Sequence, residues 1–400
     1  MEKLNKILAD HVVQQQGRDT KDKLLGAAFT VVNADGILYQ GAAGRIDLAL
    51  DSKPWGPNTL SWIASMTKLA SAISILQIVE KGLVTLDEDL RSKIPFLNEV
   101  EIIKGFDNTK RKPILEPNTS PITLRHLLTH TSGLAYDLTD ELLMKWRRAV
   151  GKDLINMTWT LEGFSTPLLF PPGTDWSYGT GIDWATLLLE QVTGTKLSMY
   201  MSEHIFDPLG MTSTGFWPAK LTTPQPLAAI PNRDHGGGLV PAPSPTPDEH
   251  PVESGGAGLF STTADYSKLL RAVLRGELLS AESMELLFKP QLSGDLLRKM
   301  DERVRLAREM YAPEYAEDTP MNFALGGMLN TADVPGKRTK GSMMWSGYTN
   351  PHWWVDRERG VAGVLQVSLL PFGDPVVAKL YDALERTVYG DLIVEGAGKL

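Results

Sequence analysis

The sequence predicts an α+β fold in which an antiparallel sheet, flanked by helices, is interrupted by a long helical insertion. Three observations lead there. Two short apolar runs, Ala27–Val32 and Ile37–Gln40, flank Asn33-Ala34-Asp35-Gly36, residues that bend easily and tolerate positive φ. Two more runs, His352–Val355 and Val361–Val367, flank Asp356-Arg357-Glu358-Arg359-Gly360 near the other end. Between them, from about Leu86 to Phe216, short helical stretches alternate with polar loops. Strand pairs at both ends imply one sheet completed by the two termini. Residues 1–84 and 256–400 are expected to form that sheet domain, and 85–255 a mainly helical one.

Taken in order, Leu4, Ile7, Leu8 and Val12 mark a short amphipathic helix. After the first hairpin, Leu69, Ala72, Ile73, Leu76 and Val79 recur at helical spacing, and Ile75 and Ile78 make the other faces apolar too. A helix that is apolar nearly all round is a buried one. Lys81 and Gly82 are its stop signals. Ile122–His130 reads as a short helix with Thr123 as its cap, and Ile182–Val192 as another closed by Gly194. Leu197–Phe206 follows as a third. Residues 218–258 are rich in proline and glycine, including Pro241-Ala-Pro-Ser-Pro-Thr-Pro247, and are expected to act as a lid loop at the substrate entrance. Helices return at Ala264–Leu274, Ala281–Phe288 and Leu296–Met310, with a last one at Leu380–Val388.

Composition excludes several function classes. The chain of 400 residues has 42% hydrophobic and 22% charged residues, the balance of a soluble globular protein. A net charge of -8 gives nucleic acid or an acidic membrane no electrostatic footing. There is no cysteine, hence no disulfide, thiolate chemistry or cysteine-based zinc site. No run approaches signal-peptide or membrane-span length, so a cytoplasmic, monomeric protein acting on a small molecule is expected.

Chemistry concentrates at the front of the buried helix. Ser65-Met66-Thr67-Lys68 occurs once in the chain and sets a hydroxyl and an amine on one helical face, about a turn apart. A serine hydroxyl is a poor nucleophile until a base takes its proton. Lysine serves if desolvation lowers its pKa from about 10.4. Gly-x-Ser-x-Gly, the mark of α/β-hydrolases, is absent. Tyr178, in Trp176-Ser177-Tyr178-Gly179-Thr180, is a second proton-transfer candidate, its phenol expected to be acidified by a neighbouring ammonium. Met344-Trp345-Ser346-Gly347-Tyr348 precedes the last strand pair, where a strand edge can offer a backbone N–H to an oxyanion, with the Ser65 N–H as the other donor. Trp345, Trp353 and Trp354 are candidate walls of an apolar pocket, and Tyr136 is placed at the same cleft. His126 and His130 are four apart, but no Glu follows His126, so no metal is expected. The glycines at 236–238 and 255–258 lack nucleotide-binding spacing, so no cofactor is expected.

The combination resembles the serine β-lactamase and penicillin-binding-protein superfamily, which carries Ser-x-x-Lys, Tyr-x-Asn and Lys-Thr-Gly in that order. More closely it resembles the class C β-lactamase-like esterases, the family VIII carboxylesterases, whose third motif often has Trp or His for the lysine. His126–Gly133, Pro208–Met211 and Gly255–Ser261 are shared with these relatives, and the likeness runs from about Leu24 to Val388. Within the family the pattern looks most like fungal enzymes related to the lovastatin acyltransferase, which move or remove a small acyl group on a polyketide alcohol. The resemblance implies an α/β sheet domain with an inserted helical domain and the active site between them. It also implies Ser65 as nucleophile, Lys68 as base, Tyr178 as general acid/base partner, the Ser65 and Tyr348 amides as oxyanion hole, and a substrate site that includes Trp345, Gly347 and Tyr136.

Two departures refine the expected activity. Thr180 stands where β-lactamases carry the Asn of Tyr-x-Asn, and it lacks an amide's paired donor and acceptor. Trp345 stands where they carry a cationic lysine. Both disfavour a β-lactam carboxylate and favour an apolar ester. The expected function is therefore hydrolysis of the short-acyl ester of a bulky apolar alcohol through an acyl-enzyme. Acyl transfer to or from such an alcohol is the main alternative. β-Lactamase or D-amino-acid peptidase activity, and a non-catalytic binding protein, are the others.

Overall fold

In the computed structural model, which describes residues 1–107, 109 and 111–393, both ends of the chain contribute to one seven-stranded sheet. Its strands are β1 (Gly26–Asn33), β2 (Ile37–Gly44), β3 (Met321–Phe323), β4 (Met328–Asn330), β5 (Met343–Ser346), β6 (His352–Asp356) and β7 (Val361–Gln366). The spatial order is β2-β1-β7-β6-β5-β4-β3, antiparallel throughout. The two terminal hairpins join where β1 pairs with β7, setting Phe29 opposite Leu365 and Val31 opposite Gly363. Both strands are buried almost end to end, which is why they read as continuous apolar runs rather than as alternation.

Gly363 leaves room for the Trp354 indole: a Cβ there would lie 2.1 Å from the ring. Trp354 in turn stacks on Phe29, with ring centroids 6.0 Å apart. Trp353 and Trp354 are fully buried and belong to the core. That corrects their expected place as pocket walls: Trp354 packs on Phe29 and Tyr381, and neither indole lines the aromatic cavity described below.

The helix Thr67–Glu80 is buried at every residue from Thr67 to Ile78 and lies against Gly181–Thr193 and Ala281–Phe288. It stops at Lys81, followed by Gly82 at φ +70°. Thr263–Leu274 packs on β1 and β7, while Glu2–His11 packs on β2 and on Pro375–Thr387. That last helix begins five residues before its expected start, because the Asp374 carboxylate accepts from the Val376 and Val377 amides and Pro375 suits a first helical position.

In the middle of the chain, the Thr123 hydroxyl accepts from the His126 amide to start Leu124–Leu128, and Gly194 at φ +67° ends Gly181–Thr193. A hairpin, Glu101–Asp107 with Lys112–Pro117, stands where only helices and loops were expected. Its alternation is broken by a register shift at Gly105, which hid it in the sequence. Residues 218–258 also contain a strand pair, Asn232–Arg233 with Leu239–Val240, too short to show a period. No helix among the described residues is long and apolar enough to cross a membrane.

Candidate active site

The chain enters its buried helix through a strained bend. Ser61–Trp62 pairs with Phe260–Ser261, and a 3₁₀ turn, Ala64–Met66, leads into Thr67. Ala64 has φ +44°, a left-handed conformation that costs a non-glycine residue about 1–3 kcal/mol. Its neighbours over-determine it. The Ile63 N–H donates to the Leu259 carbonyl (3.0 Å), the Thr67 hydroxyl donates to the Ala64 carbonyl (2.6 Å), and the Leu259 N–H donates to Thr67 Oγ1 (3.1 Å). Ser65 is left partly exposed between buried Ala64 and Met66.

One turn along, Lys68 Nζ lies 3.1 Å from Ser65 Oγ, 3.2 Å from Tyr136 Oη and 2.7 Å from the Gly256 carbonyl oxygen. A neutral amine has two N–H donors and one lone pair. With two donors on the carbonyl and the phenol oxygen, the ammonium form gives its third to Ser65 Oγ, and the neutral form has its lone pair free to take the Ser65 proton. Burial lowers the Lys68 pKa from 10.5 to about 7, opposed in part by the Asp183 carboxylate. The lysine is 3% exposed, so water does not compete for it.

Two tyrosines face this pair. Their rings meet edge to face at 5.3 Å, and the Tyr136 N–H donates to the Tyr178 carbonyl at 3.4 Å. Trp345 Nε1–H donates to Tyr178 Oη at 3.2 Å, and the Ser65 side chain stands close enough to Tyr178 to favour its ionised form. Lys68 Nζ lies 4.7 Å from the Tyr178 ring centre. Burial pushes the Tyr178 hydroxyl well above the usual phenol range, and the nearby Ser65 and Trp345 donors offset only part of that. Tyr136 is raised as well, first by burial and then by Tyr178 and Asp183. The expected acidification of Tyr178 is thus overturned. Desolvation, which also lowers the Lys68 pKa to about 7, outweighs any pull from an ammonium.

The strand end carrying the third motif abuts the bend. A Cβ on Gly347 would lie 2.4 Å from the Ile63 carbonyl oxygen, so only glycine lets β5 approach so closely. The Thr349 hydroxyl donates to the Trp62 carbonyl (3.1 Å) and Gln366 Nε2 to Ser61 Oγ (2.6 Å), fastening sheet to bend. Among the described residues no acceptor is paired with the Tyr348 N–H. The Tyr348 ring is half exposed, edge-on to Trp62 and stacked on Phe372.

The structure therefore gathers Ser65, Lys68, Tyr136, Tyr178 and Trp345 at one point, with Gly347 and Tyr348 at the adjoining strand end. Four contributors went unrecognised in the sequence. The Gly256 carbonyl holds Lys68. Asp183 is a buried carboxylate whose place in the first turn of an apolar helix was a readable signal. His130, held neutral by burial, packs its ring edge on Tyr178 at 4.7 Å. Tyr311 closes the aromatic wall 6.2 Å from Tyr178. His126 turns away and stands against Gly173, and no group of acidic and histidine side chains that could hold a metal occurs among the described residues. The Thr180 hydroxyl is buried without a partner and does not reach Lys68.

Beyond Trp62 lies a cavity of about 430 Å³. Trp62, Trp159, Phe216, Trp217, His250 and Phe260 form its walls, and the segments 227–230 and 242–248 of the proline-rich stretch close it. Neither Ser65 nor Lys68 lines it, but Trp62 does, and the Trp62 ring meets that of Tyr348 edge to face at 6.2 Å.

The beta-lactamase family model matches residues 9–386. The chain belongs to the beta-lactamase family. It is 32% identical to the lovastatin esterase of Penicillium rubens over 92% of this chain and 94% of that protein. It is 33% identical to the monacolin J acid methylbutanoyltransferase of Aspergillus terreus, covering 82% of this chain and 81% of that one. Among solved structures, the unliganded simvastatin synthase of Aspergillus terreus superposes with a TM-score of 0.83 at 28% identity, covering 98% of both chains. In this beta-lactamase-family chain Ser65 and Lys68 stand within hydrogen-bond distance, and the Trp345 indole N–H donates to the Tyr178 hydroxyl.

Proposed function

We propose that Ser65, Lys68 and Tyr178 carry an acyl-enzyme reaction on the short-acyl ester of a bulky apolar alcohol. That the chain is a serine ester hydrolase or acyltransferase rests on its family and its named relatives. The assignment of roles rests chiefly on one observation: a buried lysine whose pKa is lowered to about 7, with Nζ 3.1 Å from Ser65 Oγ and within hydrogen-bond distance of the Gly256 carbonyl and Tyr136 Oη. Ser65 Oγ attacks the ester carbonyl as its proton passes to Lys68 Nζ. The Ser65 and Tyr348 amides receive the oxyanion. Tyr178, kept protonated by burial and within reach of Ser65, gives its proton to the departing alkoxide, and the Lys68 ammonium restores it. Water, or a second alcohol, then enters by the reverse path.

The aromatic surroundings support an apolar ester over a β-lactam: Trp345, which the resemblance puts in the place of a cationic lysine, packs among Tyr178 and Tyr311. The aromatic cavity beyond Trp62 has room for a bulky alcohol. Hydrolysis needs no second specific site and is the primary reading. Transfer is the second, favoured by the names of the transferase relatives. Mass spectrometry after fluorophosphonate treatment is expected to find the label on Ser65, and Ser65→Ala is expected to abolish turnover of a p-nitrophenyl ester with the melting temperature nearly unchanged. A label on another serine overturns the assignment. Supplying ester with a large excess of the cognate alcohol separates the outcomes: transferred ester with no free acid above background replaces hydrolase by acyltransferase.

A further inference from the structure

Lys68 is held from behind as well as from the front. Its longest-range partner is the Gly256 carbonyl, 2.7 Å from Nζ, and that carbonyl belongs to a turn trapped between two helices. On one side the Ser71 hydroxyl of the Thr67–Glu80 helix donates to the Gly255 carbonyl at 2.6 Å. On the other, a single oxygen of Asp183, in the first turn of Gly181–Thr193, accepts from Ser254 Oγ at 2.5 Å and from the Gly256 N–H at 3.0 Å. Ser254 Oγ in turn accepts from the Ala257 N–H at 3.0 Å. Nothing larger than glycine fits: a Cβ on Gly255 would lie 2.2 Å from Thr186 Oγ1, and one on Gly256 2.5 Å from Asp183 Oδ2. One residue thus links acid to amine: the Gly256 N–H donates to Asp183 and the Gly256 carbonyl accepts from Lys68.

We propose that Asp183 is a positioning residue for the base, clamping the Ser254–Gly256 turn so that the Gly256 carbonyl sets the Lys68 amine against Ser65. The inference rests on the proposed function, in which Lys68 takes the serine proton. Asp183 is fully enclosed and bonds to no substrate-facing group, so its influence passes through the turn and through its charge. The titratable groups facing Lys68 are Tyr136 and Tyr178, both protonated phenols, His130, held neutral, and Asp183. Asp183 is the one carboxylate among the described residues that acts on Lys68; burial raises its pKa, opposed by Lys68 and by the bonds from Ser254 and Gly256, and as an anion it favours the ammonium form. Position and charge therefore separate experimentally. Asparagine keeps an oxygen for both donors and removes the charge, whereas alanine removes both.

The test uses the full chain and a p-nitrophenyl ester, with kcat and KM followed from pH 5 to 9. Asp183→Ala is expected to lower kcat about 10- to 100-fold with KM within about twofold, the scale on which a displaced base acts. Asp183→Asn is expected to recover most of that kcat at pH 8, with the acid limb of the profile moved down by about one pH unit. Ser254→Ala, which loses one strand of the clamp and no charge, is expected to lower kcat with the acid limb in place. A wild-type kcat in Asp183→Ala, or an Asp183→Asn enzyme as slow as Asp183→Ala, overturns the proposal. Because Asp183→Asn is nearly isosteric, it decides the matter even if the alanine variant fails to fold. Ester turnover surviving in Ser65→Ala would instead overturn the underlying function, whatever Asp183 does.

Discussion

The Trp345 indole N–H donates to the Tyr178 hydroxyl across 3.2 Å, joining the third motif to the second. This bond orients the phenol and leaves its proton free for a departing alkoxide. Trp345→Phe keeps the ring and removes the donor. A net hydrogen bond of about 1 kcal/mol corresponds to a loss of roughly fivefold in kcat. Steady-state kinetics on a small ester checks it: an unchanged kcat with a raised KM would make Trp345 a binding wall alone.

Gly347 tests the strand approach. A methyl group there meets the Ile63 backbone carbonyl at 2.4 Å, which no side-chain rotation relieves, so β5 must retreat from the Ser65 bend. Displacing one oxyanion donor costs about 10²–10³ in kcat. Gly347→Ala is expected to fall in that range, and its rate of fluorophosphonate labelling should fall in step. Normal labelling would dissociate the Tyr348 amide from the chemistry.

Much of this arrangement was legible in the sequence because the signals were local. The buried helix, its Lys81-Gly82 stop and the Ser65–Lys68 spacing all lie within eighteen residues, and helical period alone puts hydroxyl and amine together. The sheet was legible in outline, since β1 and β7 are long apolar runs, but the three-residue strands β3 and β4 carry no periodicity. What stayed hidden depends on contacts distant in the chain. Gly256 is 188 residues from Lys68, and no pattern announces that its carbonyl faces the amine. The direction of the Tyr178 shift was misjudged for the same reason. A pKa follows from how much water the fold removes, and sequence shows neighbours rather than burial.

Lys68 also makes a prediction about stability. Its folded pKa, about 7, lies below the ordinary value of 10.5, so between those limits the unfolded chain binds more protons than the folded one. Stability contributed by this group therefore rises with pH across that window, and below about pH 7 the cost of burying the ammonium is fully present. Lys68→Met removes that cost along with the activity. Relative to wild type, the melting temperature of Lys68→Met is expected to be higher at pH 6 than at pH 9, the gap shrinking as pH rises. A pH-independent difference would mean that Lys68 is not titrating as a buried amine.

The aromatic cavity makes the sharpest claim about selectivity. Trp217 stacks on His250 with ring centres 4.0 Å apart and planes 8° from parallel, and both line the space of about 430 Å³ beyond Trp62. Ser65 and Lys68 do not touch that space, so a small ester reacts without entering it. A bulky alcohol reaching past Trp62 would bury apolar surface on these rings, and losing one aromatic wall forfeits about 2 kcal/mol, roughly 30-fold in kcat/KM. Trp217→Ala is therefore expected to lower kcat/KM on a bulky polycyclic alcohol's ester by that order, with p-nitrophenyl acetate changed by about twofold or less. Replacing residues 241–247 with a short Gly-Ser link should act in the same direction, because 242–247 close the cavity. Equal losses on small and bulky esters, measured side by side on the same preparations, would show that this segment only supports the fold and that the alcohol binds elsewhere.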